Sequence, residues 1–195
     1  MNTLWLATGN QKKVEELQAM LRGMTVTILT VRDLGQSFEV EEDGETFQDN
    51  ARKKAEALAA LTGGWCLADD SGLEVDALNG RPGVRSARFA GEPASDARNN
   101  ELLLRMMREE SNRRARFRCV LWLTDGQSHY QTSGQIQGTL ALHPAGSGGF
   151  GYDPLFVPDG YSSTFAELGP DIKNTLSHRA KALREMLPIL SRLFA

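Results

Sequence analysis

Cysteine is nearly absent from this chain, with two copies in 195 residues. Cys66 and Cys119 both lie inside apolar, strand-like runs, which excludes a disulfide framework and makes them buried small hydrophobes. Histidine is scarce too, with three copies. His129, His143 and His178 show no spacing that suits a zinc site. No apolar run approaches the roughly 18 residues that a membrane-crossing helix needs, and Leu4 to Ala7 is too short for a signal peptide. The expectation is a cytoplasmic protein without a membrane partner. Basic charge is not in excess either. A net charge of −3 argues against a nucleic-acid binder, which carries a basic face. A G-x-S-x-G elbow and a G-x-x-x-x-G-K-[ST] loop are both missing, which weakens serine-hydrolase and P-loop readings.

What is present is an ordinary globular composition, 41% hydrophobic and 24% charged. A chain of this length holds one substantial core, or two lobes sharing one sheet. Its organising stretch is Leu67-Ala-Asp-Asp-Ser-Gly-Leu73. An apolar run from Trp65 to Ala68 reads as a short buried strand that stops at two adjacent carboxylates, Asp69 and Asp70, followed by a Ser-Gly turn. Buried carboxylates resist ionisation unless a cation or hydrogen-bond donors offset the charge. Where phosphates are also bound, a divalent metal is the common solution.

Around that stretch the chain alternates strand and helix. Thr3 to Ala7 is a strand, Thr8-Gly9-Asn10 a turn, and Val14, Leu17, Met20 and Leu21 recur at helical spacing. Strand, glycine turn and helix start aim backbone N–H groups at an anion. Lys12 and Lys13 reinforce that reading, because first turns ordinarily favour acids; the bland alternative is a solvated lysine pair. Thr25 to Thr30 is a second strand. Glu39, Glu41, Glu42, Asp43 and Glu45 form an acidic loop that, taken alone, reads as a solvated face. Thr46 opens a helix with Asp49 as capping-box partner, ending at Gly63-Gly64. Near its start, Lys53 and Lys54 fit either solvent or phosphate. Ser95 caps a helix to about Glu110. Arg114 to Thr124 alternates, with Ala115, Phe117, Cys119, Leu121 and Leu123 on one face and the arginines and Trp122 on the other. Asp125-Gly126 is a hairpin turn, and Gln127 to Leu142 is the returning strand. A long hairpin inside a β/α chain implies a mixed sheet.

Gly146-Ser-Gly-Gly-Phe-Gly151 matches G-x-G-x-x-G in form only. Tyr152-Asp153-Pro154 follows, and the proline argues against a helix opening there. The loop offers Phe150 as a stacking face and Asp153 as an acceptor, a pair suited to a purine base. A core position for Phe150 is an equal alternative. Ser177 caps the last helix, whose first turn carries His178, Arg179 and Lys181 and which Pro188 kinks or ends.

Four motifs carry a family resemblance. Thr8-Gly-Asn-Gln-Lys-Lys13, Ala68-Asp-Asp-Ser-Gly-Leu73, Gly148-Gly-Phe-Gly-Tyr-Asp-Pro154 and Ser177-His-Arg-Ala-Lys-Ala-Leu183, in that order, resemble the inosine triphosphate pyrophosphatase family. Each motif alone is weak, and four in order are specific; the resemblance covers essentially the whole chain. It implies a single domain over residues 1–195, an α/β fold with an elongated mixed sheet flanked by helices, and two lobes with a central substrate cleft. It implies hydrolysis of dITP, ITP and XTP to the monophosphate and pyrophosphate, with Mg2+ as cofactor and a homodimer as the assembly. By the same resemblance Asp70 is the catalytic acid–base residue and a metal ligand. Glu41 is the second metal partner, with Glu42 one register away. Thr8, Gly9, Asn10, Gln11, Lys12, Lys13 and Lys53 belong to the phosphate side of the substrate, and Ser71 contacts the substrate beside Asp70. Phe150, Gly151, Tyr152, Asp153, Lys173, His178 and Arg179 belong to the base side. Two rival readings are a Maf-like nucleotide pyrophosphatase acting on modified pyrimidines or guanine nucleotides, and a regulator that binds a nucleotide without hydrolysing it.

Overall fold

The structure, a computed structural model, describes residues 2–195. Its strands are β1 (Thr3–Leu6), β2 (Thr27–Thr30), β3 (Trp65–Val75), β4 (Arg114–Thr124), β5 (His129–Leu140) and β6 (Phe156–Pro158). The helices are α1 (Gln11–Met20), α2 (Phe47–Thr62), α3 (Asp96–Met106), α4 (Phe165–Leu176) and α5 (His178–Leu193). The sheet has the order β2-β1-β3-β4-β5-β6. It is mixed: β1 runs parallel to β2 and to β3, whereas β5 and β6 are antiparallel. Strands β4 and β5 are sheet neighbours joined by the short Asp125–Ser128 turn, a connection that only antiparallel strands permit. The fold is α/β.

The chain divides into two compact units. The first takes residues up to Asp70, Cys119–Gly134 and Arg179–Ala195. Parallel neighbours need crossovers, and α1 and α2 supply them between β1 and β2 and between β2 and β3. Its core joins Leu4 and Leu6 of β1, Val14 and Leu17 of α1, Leu67 of β3, Leu121 and Leu123 of β4, and Leu183, Met186 and Leu190 of α5. Helix α5 continues through Pro188 to Leu193 instead of ending there. The second unit takes Ser71–Arg118 and Gln135–His178. It packs Leu73, Val75, Leu103, Met107, Phe117, Phe156 and Phe165 into a separate core, in which the Phe117 and Phe156 ring centroids lie 4.7 Å apart.

Two departures from the sequence expectation matter for function. Strand β3 does not stop at Ala68; it runs through Asp69-Asp70-Ser71-Gly72 to Val75, eleven residues in all. The expected Ser-Gly turn is absent because the carboxylates have partners within the first unit and the backbone stays extended. Trp122, which the alternation sets on one face with the arginines, is 6% exposed and has His129 stacked on it at 4.9 Å.

Candidate active site

The geometry of the first unit begins with pleat. Successive residues of a strand point to opposite faces, so Asp69 and Asp70 cannot share surroundings. Asp69 follows Leu67, which lies in the core with α1 and α5. Its partners come from those helices. Arg179 Nε donates to Oδ2 at 2.9 Å and Arg179 Nη2 to Oδ1 at 3.3 Å, while Lys13 Nζ lies 2.6 Å from Oδ1. The Cys119 thiol adds a donor to Oδ2 at 3.0 Å. Burial alone would raise the Asp69 carboxyl, but Arg179 and Lys13 overcome it and hold the group well below the usual carboxylate range. Arg179 also bonds Glu16 of α1. The nearby Cys119 thiol is pushed up by burial and by Asp69, so it stays protonated.

Asp70 meets α2 instead. Asn50 and Lys54 lie one turn apart on that helix, hence on one face. Asn50 Nδ2 donates to Asp70 Oδ2 at 3.2 Å and Lys54 Nζ lies 3.4 Å from Oδ1. Lys54 is shared, donating also to Glu42 at 3.0 Å and to the Asp69 carbonyl at 2.9 Å. Burial pushes the Asp70 carboxyl up to about 6; Lys54 and Lys13 oppose that, and Glu42 and Asp69 add to it. Burial likewise acts to raise Glu42, but Lys54 wins and leaves its carboxyl low. Two adjacent aspartates thus differ in acidity. One is a fixed anion, the other titrates near neutrality.

The residues that the resemblance assigns to the phosphates lie mainly in the Thr8–Lys13 segment of the first unit. Asn10 is the N-cap of α1, its Oδ1 accepting from the Lys12 and Lys13 amides, and Thr8 Oγ1 accepts from the Asn10 amide. Gly9, Asn10, Gln11 and Lys12 are exposed, and Lys12 lies 3.8 Å from Glu15. Because β1 and β3 are parallel with Leu6 opposite Leu67, the Thr8–Asn10 turn leaves the carboxyl end of β1 beside Asp69, while β3 itself continues. Ligands of open parallel sheets bind at that end. Lys53 is on the surface, paired with Asp43; its neighbour Lys54 is the buried lysine at the aspartates. In the same way Glu41 is exposed, and the acid placed with Lys54 and Asp70 is Glu42, one register on. Arg179, grouped with the base by resemblance, has Asp69 and Glu16 as its partners in the first unit.

Two carboxylates converge here on one lysine. Among the described residues no group of three metal-ligating side chains forms. That set suits Mg2+, which takes one or two protein carboxylates and fills its shell with water and phosphate oxygens. Asp70 and Glu42 therefore fit the metal that the resemblance implies.

In the second unit Ser71 is half-buried at its start in β3. The glycine loop lies before α4. Asp153 is 2% exposed; its Oδ2 accepts from the Phe150 amide at 2.8 Å and lies 2.5 Å from Lys173 Nζ. Lys173 Nζ also sits 4.4 Å above the Phe150 ring centroid, at cation–π distance. Phe150 is half-buried rather than part of the core. Gly149, at φ +71°, has no room for a side chain: a Cβ would come within 2.1 Å of Asp153 Oδ2. Tyr152 is buried, donating to the Ser86 carbonyl at 2.9 Å. His178 is buried with its ring stacked on Phe117 at 4.8 Å.

A mixed α/β fold that carries a capped βα turn, a raised carboxylate beside lysines and a glycine loop with Phe150 fits the class of α/β enzymes. Comparison with known proteins makes it particular. Residues 4–189 match the model of the Ham1 family, and the chain belongs to that family. It is 49% identical over 194 residues to the dITP/XTP pyrophosphatase of Desulforamulus reducens, covering 98% of this chain and 96% of that one. It is 48% identical to the dITP/XTP pyrophosphatase of Geobacter sulfurreducens, over 94% of each. Among solved structures, a HAM1 protein from Coxiella burnetii superposes with a TM-score of 0.90 at 38% identity, over 98% of this chain and 100% of that one. The Staphylococcus aureus Ham1 protein gives 0.89 at 36%, with the same coverage.

Sequence reading alone missed Asn50 and Lys54 as partners of Asp70, and Glu16 as a second partner of Arg179. The available signal was spacing, since Asn50 and Lys54 lie on the same side of α2 as the apolar Ala51, Ala55 and Leu58.

Proposed function

We propose that this chain hydrolyses dITP, ITP and XTP between the α- and β-phosphates, releasing the nucleoside monophosphate and pyrophosphate, with Mg2+ as cofactor. As a member of the Ham1 family it is an enzyme, a nucleoside-triphosphate pyrophosphatase acting on non-canonical purine nucleotides. The observation that carries the finer reading is the division of the aspartate pair, with Asp70 raised to about 6 beside an ionised Asp69. A carboxylate poised near working pH is what general base catalysis asks for.

In the proposed reaction the Asp70 carboxylate takes a proton from a water whose oxygen attacks the α-phosphorus. The bond to the bridging oxygen breaks and pyrophosphate leaves; no covalent intermediate is needed. Asp70 and Glu42 would hold the metal, which when bound neutralises charge on phosphate oxygens and leaving group. Lys13 has three N–H donors, so it can bond Asp69 and still meet a phosphate. The Thr8–Lys12 turn, Lys53 and Ser71 complete the phosphate side, and Arg179 acts through Asp69. Phe150, Gly151, Tyr152, Asp153, Lys173 and His178 serve the base, with Phe150 stacking. A donor such as Lys173 donates to the 6-oxo group of hypoxanthine or xanthine, whereas the 6-amine of adenine offers it no acceptor. A homodimeric state rests on the family resemblance, and sedimentation of the purified chain checks it. Among the described residues no helix is long and apolar enough to cross a membrane.

The test is a panel of nucleoside triphosphates with Mg2+, scored for pyrophosphate release. Faster turnover of dITP and XTP than of dATP and dGTP is expected, with loss of activity in excess chelator. Equal rates, or a preference for modified pyrimidines, would overturn the substrate reading. Tight binding without turnover would point to a regulator.

A further inference from the structure

Helix α3 carries Asp96 and Asn100 one turn apart, on one face. Both close on a single residue of the glycine loop. The Gly151 N–H donates to Asp96 Oδ2 at 2.7 Å, and Asn100 Nδ2 donates to the Gly151 carbonyl at 2.8 Å. Acceptor and donor are thus matched to both ends of one residue's backbone, and Gly151 is held at φ +61°, a conformation that side chains disfavour.

A simpler account covers only half of this. Asp96 sits in the first turn of α3, where an acid is favoured regardless of the loop. Asn100 is mid-helix, where asparagine is a poor choice. Its Oδ1 is shielded from solvent with no partner among the described residues, an unfavourable arrangement for an amide. The side chain therefore serves Gly151 at some expense to itself. The rest of the loop is fixed from the opposite flank. The Ala166 amide donates to the Asp153 carbonyl at 3.2 Å and the Gly148 amide to the Ala166 carbonyl at 3.2 Å. Phe150 is the residue left between these anchors, and its amide bonds Asp153.

We propose that Asp96 and Asn100 are positioning residues that clamp the backbone of Gly151 and so set the Phe150 ring for stacking on a purine base. The inference rests on the substrate reading above, since it assigns the loop to the base. It predicts a division of labour in kinetics: loss of the clamp loosens base recognition and leaves the chemical step alone.

Two isosteric variants test the direction of each hydrogen bond. Asp96→Asn keeps an acceptor for the Gly151 N–H and should behave like the parent. Asn100→Asp replaces the donor with an anion facing the Gly151 carbonyl. It should raise KM for dITP about tenfold, keep kcat within about threefold, and shrink the preference for dITP over dATP about tenfold. Asp96→Leu should do the same; if it fails to fold, Asn100→Asp carries the test alone. Amide hydrogen exchange over Phe150–Asp153 supplies a readout without substrate, and should quicken about tenfold in Asn100→Asp at an unchanged thermal midpoint. Unchanged KM and exchange, or a fall in kcat with KM and preference intact, would overturn the clamp. A parent enzyme with no preference for dITP would instead overturn the substrate reading, while the exchange rates would still decide whether the clamp exists.

Discussion

In the first unit two carboxylates stand side by side on β3, Asp69 faced by Arg179 and Lys13 and Asp70 by Lys54, which it shares with Glu42. In the second unit Asp153 stands with Lys173, and the same oxygen that meets the lysine also caps the Phe150 amide. The first arrangement leaves Asp70 under-compensated, with its carboxyl raised to about 6. The second uses its carboxylate for shape, tying Phe150, Asp153 and Lys173 into one loop. Buried ion pairs are weak sources of stability because desolvation offsets much of the attraction. Their use here is to assign charge in one region and geometry in the other.

The sharpest way to break that contrast is Asp70→Asn. Removing the proposed base should lower kcat by about a thousandfold, within the range of general acid–base effects. Pyrophosphate release measures it, and circular dichroism should show the parent's fold. Turnover near the parent rate would return the role to Asp69.

Asp69→Asn should act on stability first. It leaves Arg179 buried with Glu16 as its remaining carboxylate partner, which should cost about 3 kcal/mol by urea unfolding. A loss under 1 kcal/mol would mean that Asp69 is no anchor. In the second unit Lys173→Met should raise KM for dITP about tenfold with kcat little changed, because it removes the cation over Phe150 and the partner of Asp153. A kcat effect alone would place Lys173 in the chemistry.

The smallest effect concerns pH. Asp70 has a folded value of about 6, above its unfolded value of about 3.9. Its contribution is therefore fully present below the unfolded value and is lost as pH rises through about 6. Asp70→Asn should then be more stable than the parent at pH 8, by about 1–3 kcal/mol, with the gap closing toward pH 4. A gap independent of pH would contradict the raised carboxyl. Asp69 has the opposite sign: its folded value is depressed, so its contribution holds above about 3.9 and fades only in stronger acid.

Much of this was legible in the residues. The β4 strand runs from Arg114 to Thr124, as the alternation requires, and Thr46 and Gly63 bound α2. The Pro154 argument against a helix after the glycine loop also holds, since residues 151–155 form turns. The separation of Asp69 from Asp70 was not legible, because ending the strand at Ala68 discards the period-2 alternation that splits them. Nor was the choice of Lys54 over Lys53 or Glu42 over Glu41. Each depends on how α2 and the acidic loop pack on β3, a tertiary fact that one residue of register reverses. The α3 clamp is harder still, since Asp96 and Asn100 lie 55 and 51 positions from Gly151.

The account stands or falls on the unequal aspartates, and carboxyl 13C NMR of aspartate-labelled, metal-free protein reads them directly. One resonance should titrate near pH 6 and vanish in Asp70→Asn, while the resonance lost in Asp69→Asn should stay ionised through the range in which an ordinary aspartate titrates. Ordinary titration of both carboxyls near pH 4, or assignment of the raised one to Asp69, would contradict it.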